Sequence, residues 1–440
     1  MIYGFLNIIY LLLFTVIAQK NLKWGLYLIV ALLPTYLIRF TALGVPMTLL
    51  ESMILILFIV WLLKEKISLN PLVWLKNIKT GKLNNKTNNA VPKILRLPII
   101  LLLIASTISV FISPDFNSAA GIWKAYFIEP LMLLLVIVYN IKTTDEIKNI
   151  IRALGVTAIA IGIFTIIQKL TGALIFNPFW ATEETRRVTT FFGYPNANAL
   201  FLLPIVFLNL NNLLTEKKKL LKLFNLAVIV LSILTIFWTG STGALIGLAA
   251  GLLALLIIHK KTRLLTLLAG ATVILILSLT PIVQNKISKS LFLASQTKLP
   301  LVPTDLAIRT QQWRETTAML ADRPLTGAGL AGYQALVAPY HVNRHIEIYL
   351  YPHNFFLNFW TETGLLGLIA IIWLLFAFLK LVAKQPSLLT FTAISAMIAL
   401  LVYGLVDVPY FKNDLAVEFW LIIGIVIALL NESRRRARVV

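Results

Sequence analysis

The chain has no cysteine among its 440 residues. Disulfides, thiolate metal sites and a cysteine nucleophile are therefore excluded. Acidic residues are scarce, with 18 Asp and Glu against 39 Lys and Arg, and there are only four histidines. No acidic cluster has metal-ligand spacing and no glycine-rich stretch has the form of a nucleotide-binding loop, so neither a metal nor a cofactor is expected. No internal repeat stands out. A signal peptide with a small-residue cleavage site is also missing, so the first apolar run is expected to be a span in its own right.

What is present is apolar. Hydrophobic residues make up 59% of the chain and the mean hydropathy is +0.87, well above a soluble domain. The apolar runs are about 17–25 residues long, which fits helices and not the ten-residue alternation of an outer-membrane barrel. The expected fold is all-α, a polytopic transmembrane bundle of about 12–14 helices forming a single integral membrane domain over 1–440. Spans are expected near 3–19, 22–40, 45–63, 97–113, 123–140, 150–168, 196–213, 223–240, 242–258, 264–283, 355–379, 388–406 and 415–430. The net charge of +21 reads as positive-inside topology rather than nucleic-acid binding.

The basic residues bear this out. Segment 64–96 carries eight of them, from Lys64 to Arg96, around the Asn-rich run KLNNKTNN. Further clusters lie at Lys142–Arg152, Lys217–Lys222, Lys260–Arg263, Lys380–Lys384 and Arg434–Arg438. Thirteen spans put all of these in the cytoplasm. The other side receives short connections at 41–44, 114–122 and 407–414, a loop at 169–195, and a long segment at 284–354 expected to contain short helices. That long segment still holds Arg309, Arg314, Arg323 and Arg344. Cations placed against the topological bias point to an anionic ligand outside the membrane, although long loops obey the bias weakly.

Within it, Asp305–Asp322 reads as a helix, capped by Thr304 or Asp305 and ended before Pro324. Leu306, Arg309, Trp313, Thr317 and Leu320 are spaced to share a face. Arg309 then lies in an apolar stripe and needs either a phosphate or a carboxylate partner such as Asp305 or Glu315. Arg314 projects about 100° away. Gly327, Gly329 and Gly332 permit close backbone approach. His353 and Asn354 open the next span, where Asn354, Asn358 and Glu362 form a polar stripe four residues apart. Glu129, Arg187 and Asp407 also sit at expected outer ends of spans.

Three blocks resemble the O-antigen ligase/polymerase superfamily. They are RTQQWRETTAMLADRPLTGAGLAGY with its Arg, Trp and Pro-Leu-x-Gly-x-Gly, HNFFLNFWTETGLLG with its His-Asn and downstream glycines, and RRVTTFFGYPNANAL with its Arg and Pro-Asn. One departure is clear: relatives often have an arginine where GSTGALIG has Thr242. The resemblance implies a membrane-embedded, metal-independent glycosyltransferase of the bacterial cytoplasmic (inner) membrane, with its active site on the extracytoplasmic face. Its donor is a glycan on undecaprenyl diphosphate. Its acceptor is a hydroxyl on a glycan, a lipid A core or a protein. On that reading His353 is the base, and Arg309 holds the diphosphate with Arg187 or Arg314; either one of these two replaces the cation missing at Thr242, or this member differs in donor or activity. Trp313, Asn354, Glu362, Glu129 and Asp407 support them. A polymerase extending its own lipid-linked glycan fits the same motifs. A transporter or flippase is the rival from another class, and it predicts charges at the bilayer midplane in broken, repeated helices.

Overall fold

The computed structural model describes residues 2–42, 44–66, 91–258, 263–279, 305–342 and 346–437. Most of the expected cytoplasmic loop at 64–96 and the first part of the 284–354 segment lie outside these residues. So do His259, Arg344 and His345.

The chain is a helix bundle, as the hydropathy implies. In chain order the helices are α1 (Ile2–Lys20), α2 (Leu22–Ala31), α3 (Leu49–Lys64), α4 (Lys93–Ile112), α5 (Phe116–Trp123), α6 (Glu129–Asn140), α7 (Thr144–Thr171), α8 (Pro195–Thr215), α9 (Lys219–Trp238), α10 (Thr242–Ile258) and α11 (Arg263–Leu279). They continue with α12 (Asp305–Asp322), the short α13 (Tyr333–Val337), α14 (Phe355–Ala383), α15 (Leu388–Tyr403) and α16 (Asn413–Arg436). A single π-turn at Lys124–Ile128 joins α5 to α6. Among the described residues, seven helices are long and apolar enough to cross a membrane: α4, the α5–α6 unit, α7, α8, α9, α14 and α16. Shorter apolar helices, including α2, α10 and α15, pack beside them.

The expected span at 22–40 is corrected. Helix α2 stops at Ala31, a 3-10 turn covers Leu33–Leu37, and an antiparallel hairpin follows. Its strands, β1 (Arg39–Ala42) and β2 (Val45–Thr48), pair Arg39 with Thr48 and Ala42 with Val45. Pro34 explains the break, because it has no N–H for the helix ladder and clashes with the preceding turn. Thr48 then caps α3 in a capping box with Glu51.

Helix α16 is the hub, its apolar window wholly buried. It packs on α6 and also touches α7, α8 and α15. Water is not available to drive helix association inside a bilayer, so close packing and interhelical hydrogen bonds carry it. The seam between α10 and α15 shows this. A Cβ on Gly247 would stand 2.7 Å from the Ala399 carbonyl oxygen, so only glycine permits this approach.

Polar contacts gather at two poles. At one, Lys23 pairs with Glu146 and Arg152 with Glu216. There too Thr144 donates to Glu432 at 2.7 Å, and Asn212 to the Lys148 carbonyl at 3.1 Å. The other pole holds the turns before α8 and α10, the start of α14 and the loop between α15 and α16. Tyr410 fixes that loop. Its hydroxyl donates to the Tyr126 carbonyl at 2.8 Å and accepts from Trp420 Nε1 at 3.0 Å.

Candidate functional site

The turn after α15 is the frame of the site. Its three successive carbonyls are each gripped by a different group. The Phe355 amide donates to the Gly404 carbonyl at 2.6 Å. Asn354 Nδ2 donates to the Leu405 carbonyl at 3.0 Å. Arg309 donates from Nη1 to the Val406 carbonyl. Asn354 also caps α14, accepting from the amides of Phe356 and Leu357 at 3.1 and 3.0 Å. Such a cap contributes about 1 kcal/mol. Here it ties the start of α14 to the turn and so fixes the residue before it, His353.

His353 has φ +47°, a left-handed backbone uncommon for a side chain of its size. Conformations of this kind cost about 1–3 kcal/mol and collect at functional sites. Its neighbours hold it there. Trp313 Nε1 donates to the Pro352 carbonyl at 3.0 Å, and the Tyr349 ring meets the imidazole edge-on with centroids 5.2 Å apart. The imidazole Nδ1 is buried without a hydrogen-bond partner at normal distance. Burial is the main reason His353 titrates below its ordinary value. The Asp407 carboxylate opposes that shift, the Arg309 guanidinium adds to it, and the nearby Tyr351 carbonyl opposes it weakly. Burial thus favours the neutral imidazole, and its Nδ1 has no hydrogen-bond partner.

Asp407 follows the gripped carbonyls. One carboxylate oxygen accepts from the Val408 amide at 2.9 Å, and the other from Asn196 Nδ2 at 2.9 Å. Asn196 lies in the first turn of α8, and its Oδ1 accepts from Arg187 Nη2 at 3.2 Å. Arg187 is held twice more. Its Nε donates to the Thr239 carbonyl at 2.5 Å, and its guanidinium lies 4.7 Å from the centre of the Trp180 ring. Beside this joint, Ser241 Oγ and Tyr403 Oη are 2.7 Å apart. Four elements far apart in sequence thus converge: α12, the α7–α8 connection, the start of α14 and the α15–α16 loop.

His353, Arg309, Arg187, Asp407, Asn354 and Trp313 are therefore brought together. Arg314 is exposed on another side of α12. Glu129 stands with Glu51 and Lys124, a separate group in which Lys124 Nζ and Glu51 are 3.3 Å apart. Glu362 is wholly buried, and one of its oxygens accepts from the Ala331 amide at 2.8 Å. It clamps the glycine-rich loop instead of reaching the histidine. That loop explains the glycines. Ala328 N donates to the Thr361 carbonyl at 2.7 Å and Leu365 N to the Leu325 carbonyl at 3.1 Å, across a break in α14 at Gly364.

The face expected for α12 is corrected. Leu306 and Thr317 are exposed, while Gln312, Glu315, Thr316, Met319 and Leu320 are buried. The helix packs against α13 and the first turns of α14, and most of the polar groups it buries there are paired, the Gln312 Oε1 excepted. Thr316 meets Tyr333 at 2.9 Å and Glu315 meets His341 at 3.0 Å. Arg309 is half-buried, and its contact is a carbonyl. Asn196, Tyr403, Ser241 and Trp180 carried no expected role. For Asn196 the signal was its place after Pro195, in the first turn of a span. Among the described residues, no group of three or more His, Cys, Asp or Glu side chains stands together as a metal site.

The family model described as O-antigen ligase matches residues 227–372. No curated protein matches the chain. The matched stretch takes in the second half of α9, α10 to α13 and most of α14, and it leaves Arg187, Asn196 and Asp407 outside. The match covers two of the three sequence blocks, those that carry Arg309 and His353, and supports their resemblance to the O-antigen ligase-like superfamily; the block that carries Arg187 lies outside it.

Proposed function

We propose that the chain transfers a glycan from a polyprenyl diphosphate to an acceptor hydroxyl at the outer face of the bacterial cytoplasmic membrane. The observation that carries this is His353, an imidazole with an unpartnered nitrogen on a left-handed turn, in the fields of Asp407 and Arg309. His353 takes the proton of the acceptor hydroxyl as its oxygen bonds to the anomeric carbon. The bond from that carbon to the diphosphate oxygen breaks, and the electron pair leaves with the diphosphate. Arg309 and Arg187 meet the developing charge. Asp407 favours the imidazolium that forms. Arg187 is the cation nearest the joint before Thr242, since it is bonded to the Thr239 carbonyl. That makes it, rather than Arg314, the replacement for the arginine that relatives carry there. Ligation and polymerisation would use the same groups at this site and differ in the acceptor.

Arg309→Lys tests the diphosphate assignment. Lysine keeps the charge, but it cannot hold the Val406 carbonyl and present a planar fork to two phosphate oxygens. In proteoliposomes with a lipid-linked glycan donor, the variant should lose most transfer, and EDTA should leave the parent rate unchanged. Full activity in Arg309→Lys, or strict dependence on added divalent metal, contradicts the reading.

A further inference from the structure

The connection from α7 to α8 carries Arg187, but its first half has no part in the transfer chemistry. Between Gly172 and Ala181 it turns large apolar side chains outward. Phe176 is 85% exposed and Phe179 70%, and Leu174 is exposed near them in sequence.

A rigid frame holds these side chains out. Leu174 has φ +64°, a left-handed backbone that is rare for leucine. The buried Gln168 pins this turn. Its Nε2 donates to the Leu174 carbonyl at 2.9 Å and to the Thr190 carbonyl at 3.2 Å. Its Oε1 accepts from the Thr189 and Thr190 amides at 2.9 and 2.8 Å. Arg187 stands two residues before Thr189, and its amide donates to the Trp180 carbonyl at 3.2 Å. Trp180 meets Phe179 edge-on with ring centroids 4.5 Å apart, and the Arg187 guanidinium lies over its ring. The apolar tip and the site arginine are thus parts of one braced unit.

Backbone strain that keeps apolar side chains exposed points to a neighbour other than water. The adjoining helix says which. Helix α7 is long and apolar enough to cross a membrane, and Ile163, Ile167 and Leu170 make an exposed apolar stripe along it. The chain runs from Leu170 into Leu174 and Phe176, so the stripe leads to the tip. At the same helix end Lys169 and Arg186 clasp each other's backbone. Lys169 Nζ donates to the Arg186 carbonyl at 3.2 Å, and Arg186 Nη1 to the Lys169 carbonyl at 3.0 Å. Among the described residues neither is in an ion pair. Aromatic rings beside cations at the end of a span are the composition of a membrane–water interface. We propose that Leu174, Phe176 and Phe179 form a wedge seated among the lipid acyl chains of the leaflet on the His353 side. The wedge sets the height of Arg187 against a lipid-linked diphosphate. That second role rests on the glycan-transfer reading; the seating in lipid does not.

The chain has no cysteine, so single labels are unambiguous. Phe176→Cys, Phe179→Cys and Glu183→Cys, the last an exposed polar position in the same connection, are each labelled with the fluorophore NBD. The full chain is reconstituted in phosphatidylcholine–phosphatidylglycerol vesicles, and quenching is read with nitroxide-bearing lipid and with iodide on both sides. NBD at 176 or 179 should be quenched by the nitroxide lipid more than at 183, and iodide should act most strongly at 183. Two tip positions guard against a label that disturbs one of them. Nitroxide quenching at both tip positions no greater than at 183 overturns the wedge. If iodide also fails to reach them, the tip is covered by protein, such as a second copy of the chain. Phe176→Asp tests the height-setting role. It should raise the donor KM in vesicles about fivefold, with the acceptor KM and thermal midpoint at the parent values. An unchanged donor KM overturns that role. A parent that transfers nothing overturns the transfer reading, and the quenching still decides the wedge.

Discussion

At the scale of single residues, the site depends on bridges that cross most of the chain. Asn196 joins Arg187 to Asp407, a contact spanning 211 positions in sequence. Asn196→Leu should release both partners and lower kcat by up to about 10²-fold, since small misplacements of catalytic groups are costly. The check is a kinetic comparison with the parent at matched thermal stability. Asp407→Asn makes a sharper statement about pH. Asp407 raises the His353 pKa against the larger effect of burial. Removing its charge lowers that pKa further, so the acid limb of the kcat/KM profile should move to lower pH while the plateau falls. An unmoved limb would separate Asp407 from the histidine. His353 and Arg309 were legible in the sequence because a span start and a helix in a polar loop are local patterns. The Asn196–Asp407 bridge was not, because a long-range pairing of two common residues leaves no periodicity.

At the scale of elements, the break in α14 organises the site's outer half. Gly364 has φ +66° and ψ −178°, a combination that side chains avoid, and a Cβ there would stand 2.4 Å from the Leu325 carbonyl oxygen. Gly327 is equally constrained, its Cβ position lying 2.4 Å from the Trp360 carbonyl. The two glycines let the 324–332 loop lie directly on the helix. Gly364→Ala should destabilise the fold by more than about 2 kcal/mol, read as a drop in thermal midpoint with loss of transfer. A midpoint within a degree of the parent would mean that the joint carries no strain. The sequence showed Gly327 to be a place of close approach. It did not show that the thing approached is the next helix, because nothing local distinguishes a ligand from a neighbouring backbone. The break of α2 was legible at Pro34. It was missed because the apolar composition of 22–40 outweighed one residue.

At the scale of the molecule, most helix positions follow from hydropathy alone, and α4, α7, α8, α9 and α14 fall close to the runs read from the sequence. The membrane itself supplies the reason. Every backbone donor and acceptor must be paired within a span, so an apolar run of sufficient length has one structure to adopt. Orientation is a separate matter. We expect the pole with Glu146, Arg152 and Glu216 to face the cytoplasm and the pole with His353 to face outward. The cysteine-free chain makes this easy to read. Lys218→Cys and Glu183→Cys, both at exposed positions, should react with an impermeant maleimide in intact cells only at position 183. The reverse would place the site on the other side of the membrane, and equal labelling would contradict the opposite placement of the two poles.

His353 joins an unpartnered nitrogen, a left-handed backbone and charged neighbours at one point. The most direct measurement is the single-turnover rate of glycan transfer by purified His353→Ala in proteoliposomes, beside its binding of the lipid-linked donor. A general base contributes about 10²–10⁴-fold. The variant should therefore bind donor as the parent does and transfer more slowly by that factor. Transfer at the parent rate would contradict the account.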